Sequence, residues 1–321
     1  MSSTLQTDIR VRVARVQTIA QGITLFELRR GDGGELPAFT PGSHINVRVP
    51  NGLIRKYSLC SVPAERSHYC IAVKREENGR GGSVYLVDNT KEGDEWFISA
   101  PDNAFALPQR GDHFIFIAGG IGITPFMAMI HALKNDPAKK FRLYYCSRTP
   151  EMTAFRDELS APELKGKVFI HYDGGDPSKS LDLWPIVEER KNREHLYCCG
   201  PRGLMEAVRD ATGHWSSTAV HFEAFSEADA RRPDDTAFTV KLAASGATID
   251  VPAGTTILEA MRAAGYDVPS SCESGTCGTC RTKLLAGEAD HRDLVLTEAE
   301  RDNQIMICVS RAKTPELVID R

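Results

Sequence analysis

The stretch Cys272-Glu-Ser-Gly-Thr-Cys277-Gly-Thr-Cys280, joined by Cys308 further on, decides how the rest of this chain is read. Intervals of four and then two residues between three cysteines let one tight loop turn its sulfurs inward, and a fourth from a later segment closes a four-thiolate cage. That is the ligand spacing of a plant-type [2Fe-2S] cluster. Gly275 and Gly278 fall between the ligands, where the backbone must turn sharply and bring its N–H groups close to inorganic sulfide. A structural zinc site, a disulfide pair and inert buried thiols compete with this reading. Zinc ribbons bring two Cys-x2-Cys knuckles, whereas here Cys308 stands alone and the first interval is four. Nine cysteines is an odd number, ill suited to a disulfide framework. A Rieske centre would need two histidines, which the segment lacks.

Outward from that loop, 321 residues predict two or three domains at about 150 residues each. Hydrophobic content of 41% and charged content of 26% are those of a globular protein in water. A net charge of −4 argues against nucleic acid as a partner, which would call for a basic stripe. Residues 1–12 lack the apolar core of a secretory signal, which predicts a cytoplasmic protein. The uncharged run from Phe114 to Ile130 is broken by Gly119-Gly120, Gly122 and Thr124-Pro125. It reads as a strand, a glycine turn and a helix start, and not as a membrane span.

From Ile9 to about Ala100, short alternating runs such as Val11–Val13, Ile23–Leu28, His44–Val49 and Tyr69–Val73 are separated by turn residues, the pattern of an antiparallel barrel or sandwich. Within it stand Arg55-Lys56-Tyr57-Ser58, Ala72-Val73-Lys74 and Arg80-Gly81-Gly82-Ser83. Here the chain resembles the ferredoxin reductase superfamily, whose flavin domain carries an Arg-x-Tyr-Ser strand and a glycine-containing helix start. On that resemblance Tyr57 packs on an isoalloxazine and Ser58 offers a hydroxyl to its N5 region. Arg55 and the amides of Gly81, Gly82 and Ser83 hold a phosphate, and the backbone of Ala72 to Lys74 bonds the polar edge of the ring.

After Pro108 and Gly111 the pattern becomes strand, helix, strand: apolar runs at His113–Ala118, Phe141–Cys146, Val168–Tyr172 and His195–Cys199, with helical stretches such as Phe126–Leu133 and Leu204–Ala211. This predicts a parallel sheet with its ligand at the carboxyl ends of the strands. Gly119, Gly120, Gly122, Ile123, Thr124 and Pro125 occupy the first such end. There a pyrophosphate can lie against backbone amides and Pro125 can start a helix. The run resembles the nicotinamide-domain signature of the same superfamily, as does Cys199-Gly200-Pro201, which places Cys199 beside the nicotinamide. Ser147 and Arg148 follow the second strand and Asp173 the third. Arg148 suits a 2′-phosphate and Asp173 a ribose hydroxyl. Phe225, at the end of the module, is the candidate to cover the flavin.

Residues 226–236 form a polar, proline-containing linker. Beyond it, Phe238–Leu242 and Thr248–Val251 alternate as a hairpin, and Thr256 with Glu259 forms a capping box for a helix to about Ala264. With strands near Arg281–Leu285 and Leu317–Ile319, the module resembles a β-grasp ferredoxin. The expected architecture is therefore multidomain: an antiparallel β-barrel flavin domain (1–108), an α/β parallel-sheet nicotinamide domain (109–226), a linker (227–236) and an α+β ferredoxin domain (237–321). This order, together with Gly287–Asp293, resembles the phthalate dioxygenase reductase family over nearly the whole chain. The resemblance implies FMN, NADH as co-substrate, Cys272, Cys277, Cys280 and Cys308 as cluster ligands, and a Rieske-type oxygenase as electron acceptor. Its alternatives are a Rieske demethylating monooxygenase as acceptor, or a redox-sensing protein with the same cofactors.

Overall fold

The structure, a computed structural model, describes residues 8–49, 52–77, 81–225 and 232–321. It divides into two compact units, residues 1–221 and 222–321. Arg80 and residues 226–231 of the expected linker lie outside the described residues.

The first unit begins with β1 (Ile9–Ala20), β2 (Ile23–Arg30), β3 (His44–Arg48), β4 (Ile54–Ser58), β5 (Tyr69–Lys74), α1 (Gly82–Asn89) and β6 (Glu95–Ile98). The strands form an antiparallel sheet in the order β4-β3-β6-β1-β2-β5. Its edges return to each other beyond β4, where the Cys60 amide donates to the Cys70 carbonyl (2.9 Å) and the Cys70 amide to Ser61 Oγ (3.1 Å). That closure is what brings Tyr57 and Ser58 toward Ala72–Lys74. Alternation along the strands puts Val11, Val13, Phe26, Leu28, Tyr69 and Trp96 into one apolar interior, with Phe26 and Trp96 rings 5.2 Å apart. Each such large side chain contributes about 1.5–3 kcal/mol by leaving water.

The uncharged run that imitates a membrane span becomes β7 (His113–Gly119), a 3-10 turn over Gly120–Ile123, and α2 (Thr124–Leu133). No helix of the described residues is long and apolar enough to cross a membrane. The chain continues through β8 (Lys140–Ser147), α3 (Arg156–Leu159), β9 (Val168–Tyr172), α4 (Trp184–Val187), β10 (Glu194–Cys199), α5 (Arg202–Ala211) and β11 (Val220–Glu223). The sheet order is β11-β10-β7-β8-β9, and β10, β7, β8 and β9 run parallel. As expected of a sheet covered on both faces, β7 is buried from Phe114 to Gly119.

The barrel and this sheet share a core. Ile23, Cys60, Ala72 and Phe105 from the barrel pack in one cluster with Phe116, Ile123, Phe126, Tyr145 and Tyr197, and the Tyr197 hydroxyl donates to the Ala106 carbonyl at 2.8 Å. At Gly42 (φ 91°) a β-carbon would fall 2.3 Å from the Phe105 carbonyl oxygen, so only glycine permits this approach.

The second unit contains β12 (Phe238–Leu242), β13 (Thr248–Val251), α6 (Ile257–Ala263), β14 (Arg281–Ala286), β15 (Ala289–Asp290), α7 (Glu298–Arg301), β16 (Gln304–Met306), β17 (Arg311–Ala312) and β18 (Glu316–Ile319). Its main sheet runs β13-β12-β18-β14-β16, with β12 and β18 parallel and α6 packing into the same apolar core through Ile257, Leu258 and Met261. The capping box is present: Thr256 Oγ1 accepts from the Glu259 amide (3.1 Å) and Glu259 accepts from the Thr256 amide (2.8 Å). A second box, Thr297 with Glu300, starts α7. The sequence reading did not include it, nor the short strands β15, β16 and β17.

Candidate functional site

The four cysteines of the opening motif sort into two pairs. Cys272 and Cys277 are half-buried free thiols that interact with each other through their sulfurs, and the buried free thiols Cys280 and Cys308 interact likewise. Around the first pair, the amides of Ser274 (3.5 Å) and Thr276 (3.4 Å) point at the Cys272 sulfur, and the Cys272 amide points at that of Cys277 (3.4 Å). The hydrogen bond with Cys277 is the largest influence on Cys272 and, with Ser274 and Thr276 and against burial, pulls its thiol down to about 4. Cys308 lowers Cys280 in the same way. One sulfur of each pair is thus shifted toward the thiolate, the form that binds metal.

The loop reaches this shape with Glu273 (φ 52°), Gly275 (φ 76°) and Gly278 (φ 83°) in the left-handed region. The Glu273 carboxylate, which pays for that conformation, accepts from Arg262 (2.7 Å) and Ser270 (2.5 Å). Two pairs of thiols ringed by amide donors fit a two-iron cluster, which takes two sulfurs per iron.

In the first unit, the register of β3 against β4 places Val47 opposite Arg55, Asn46 opposite Lys56, Ile45 opposite Tyr57 and His44 opposite Ser58. Ser58 is buried, and burial pushes the Tyr57 phenol up to about 12 against the opposing pull of Arg55. The Arg55 side chain crosses the start of α1: a β-carbon on Gly82 would lie 2.8 Å from its Nε and 2.9 Å from its Cγ. A guanidinium beside the first amides of a helix is suited to a phosphate, and Gly81 enters the helix at φ 80°. Ser83 Oγ accepts from the Glu76 amide (3.1 Å), which leaves its proton to donate. Ala72 and Val73 are buried on β5, while Lys74 is exposed and paired with Glu76 (2.8 Å).

His44 was not among the sequence candidates, since nothing local marks a strand histidine. It is 4% exposed, its Nδ1 has no hydrogen-bond partner, and burial, then Lys56, lower it to about 3 against Asp102. The folded protein keeps this imidazole neutral while the unfolded chain takes up a proton near pH ~6.5, so stability is expected to fall as pH drops from there toward 3. By pH 5 the loss due to this group is about 2 kcal/mol. Urea unfolding at pH 7 and pH 5 checks it, with His44→Gln expected to flatten the difference.

At the carboxyl ends of the parallel strands, two turns meet backbone against backbone. A β-carbon on Gly122 would fall 2.1 Å from the Cys199 carbonyl oxygen and 2.8 Å from the Gly200 nitrogen, and one on Gly200 would fall 2.9 Å from the Gly119 nitrogen and Cα. Gly119 in turn has Pro201 Cδ and Leu204 Cδ2 where its own β-carbon would be. Gly120 has φ 53°. Ile123, Thr124 and Pro125 are buried, and Thr124 Oγ1 donates to the Ile121 carbonyl (3.1 Å). The buried Cys199 is thereby fixed beside the glycine turn. Cys198 is also buried, and burial raises its thiol, so it remains protonated.

Ser147 is buried and donates to the Thr149 carbonyl (3.2 Å). Arg148 is exposed beside Gly175, and Asp173 accepts from the Gly175 amide (2.7 Å), organising its own turn. Phe225, the expected flavin cover, is 38% exposed. Gly122→Ala must displace the Cys199–Gly200 turn. It is expected to slow NADH-dependent flavin bleaching about 100-fold in stopped-flow absorbance while leaving the iron content intact.

Three family models match the chain in this order: an oxidoreductase FAD-binding domain over residues 10–106, an oxidoreductase NAD-binding domain over 116–210 and a 2Fe-2S iron-sulfur cluster binding domain over 240–313. Phthalate dioxygenase reductase from Burkholderia cepacia is 51% identical over 312 residues, 97% of both chains. The phthalate 4,5-dioxygenase oxygenase reductase subunit of Pseudomonas putida is 49% identical over the full length of both. A solved phthalate dioxygenase reductase, described as a modular structure for electron transfer from pyridine nucleotides to [2Fe-2S], superposes with a TM-score of 0.72 at 50% identity, covering 98% of each chain.

Proposed function

The chain belongs to the phthalate dioxygenase reductase family, and from that premise we propose that it is the NADH-dependent reductase component of a Rieske-type aromatic-ring dioxygenase system. The observation that carries this reading is the presence in one chain of a strand-end turn with a fixed cysteine and a loop with two thiol pairs. The first suits a hydride donor and the second a one-electron centre. Bound FMN supplies the exchange between a hydride's two electrons and single electrons, and the [2Fe-2S] centre carries them one at a time.

The chain's own residues position these groups, and no strong acid or base is needed. Arg55 with the amides of Gly82 and Ser83 holds the flavin phosphate; Tyr57, Ser58, Lys56 and the backbone of Ala72–Lys74 line the ring. The amides of Gly119–Gly122 receive the nucleotide pyrophosphate, with Ile123, Thr124 and Pro125 supporting that turn and Ser147, Arg148 and Asp173 on the ribose side. Cys199, with Gly200 and Pro201, sets the nicotinamide's place, and Phe225 covers the flavin until the nicotinamide arrives. Cys272, Cys277, Cys280 and Cys308 bind the cluster. In domain terms, residues 1–108 serve FMN, 109–226 serve NADH and 237–321 the cluster, joined through 227–236. The protein's place is the cytoplasm, where thiol ligands such as these stay reduced.

Anaerobic titration with NADH tests the whole reading. Flavin bleaching together with the rhombic low-temperature EPR signal of a reduced [2Fe-2S] cluster is the expected result, with FMN as the released flavin. Bleaching without that signal would reduce the protein to a flavin reductase or a sensor. Cys199→Ala is expected to slow bleaching about 10- to 100-fold with iron content unchanged; loss of iron would show that Cys199 has another role.

A further inference from the structure

Beneath the cysteine loop lies a carboxylate that no ligand spacing announces. Asp293 is 1% exposed and sits between β15 and α7. Its Oδ2 accepts from the amides of Val295 (3.1 Å) and Leu296 (2.7 Å), which closes residues 293–296 into a turn. This turn supports the cysteine loop at both of its glycines. The Leu294 amide donates to the Gly275 carbonyl (3.0 Å). Asp293 Cα lies 3.2 Å from where a Gly275 β-carbon would stand, and Val295 Cγ1 3.6 Å from where that of Gly278 would. The Gly275 backbone also acts on the Cys308 thiol, pulling it down, so the turn bears on the second thiol pair as well.

The other oxygen, Oδ1, is buried without a hydrogen-bond partner. It faces His291 Nδ1 at 3.8 Å, and that nitrogen also has no hydrogen-bond partner. His291 Nε2 lies 3.1 Å from the Arg301 carbonyl oxygen, which holds the ring against the carboxylate. Burial pushes Asp293 up, but His291, the two amides and the charge of Arg301 together outweigh it and leave its carboxyl below the usual range. An ionised group therefore stands in a poorly screened interior, where its field reaches furthest.

We propose that Asp293 is a positioning residue of the iron-sulfur centre: its carboxylate pins the 293–296 turn under the cysteine loop, and its fixed negative charge holds the centre's reduction potential down. An added electron meets a charge of the same sign, and net charge around a cluster is one of the levers on its potential. This rests on the reading of the loop as a [2Fe-2S] site. The charge and the support separate by substitution. Asp293→Asn keeps an oxygen acceptor of the same shape and removes the charge; Asp293→Ala removes both.

The test is a dye-mediated potentiometric titration of the purified full chain followed by EPR, with iron analysis. Asp293→Asn is expected to keep its iron and to raise the midpoint potential, and Asp293→Ala to raise it with partial loss of iron. Arg301→Gln, on the surface helix α7, removes the opposing cation and is expected to lower the potential. It decides the matter should the Asp293 variants not assemble. An unshifted potential in iron-loaded Asp293→Asn, or in Arg301→Gln where only that variant assembles, would overturn the proposal. Wild-type protein without a [2Fe-2S] signal would instead overturn the reading on which it rests, and the proposal with it.

Discussion

Cys308→Ser is expected to leave a protein that NADH still bleaches but that holds no [2Fe-2S] signal and delivers electrons to a one-electron acceptor only at background rate. Cys308 is 2% exposed and its thiol interacts with that of Cys280, so its loss removes half of the second thiol pair. It also leaves Cys280 without the partner that chiefly lowers its thiol. A hydroxyl at this position stays protonated near neutral pH and binds iron poorly compared with a thiolate. The flavin and nucleotide turns belong to the other compact unit, which is why bleaching survives. Cys146→Ser, on β8, is the control and is expected to retain iron. Iron analysis, EPR and anaerobic bleaching of both variants check this, and an iron-loaded Cys308→Ser with an unchanged EPR signal would remove Cys308 from the ligand set.

The second large effect concerns Asp235, at the end of the polar run that follows the nicotinamide module. Its side chain is 3% exposed. Arg292 reaches it with both terminal nitrogens, at 2.6 and 3.2 Å, and Arg311 Nε lies 3.6 Å away. Arg292 also grips Asp290 (2.6 and 2.8 Å). Arg311 donates to the carbonyls of Thr236 (2.8 Å), Pro252 (3.2 Å) and Thr255 and covers the Phe238 ring at 5.0 Å. Asp235→Ala leaves two buried guanidiniums short of their shared carboxylate, and breaking such a pair costs about 3–5 kcal/mol. The iron-sulfur absorbance is expected to disappear at a correspondingly lower temperature or urea concentration, while the transition of the first unit stays in place. A change within about 0.5 kcal/mol, the size of an ordinary surface substitution, would show that the network is not stabilising.

The two cases differ in how far the sequence foretold them. The cluster ligands are legible because three of the four sit within nine residues, and a tight loop converts spacing directly into geometry. The same holds for the Thr256–Glu259 capping box and for the strand, turn and helix at Phe114–Ile130, where charge pattern and glycine placement act locally. Gly119–Pro125 and Cys199–Pro201 could each be read as a strand end. Their contact could not, because it depends on β10 pairing with β7, two strands about 80 residues apart in sequence.

What the sequence by itself determined, then, is every feature set by neighbours along the chain: the alternation that builds the barrel, the strand and helix alternation of the middle module, and the cysteine loop. What only the tertiary structure decided is which polar residues are buried. Asp235, Arg292, Arg311, Asp293 and His44 look in sequence like any solvated charge or strand histidine, and composition predicts them at the surface. Chain segments far apart in sequence enclose them and supply the partners. The cost of burying a charge is met only by a partner whose position is a property of the fold.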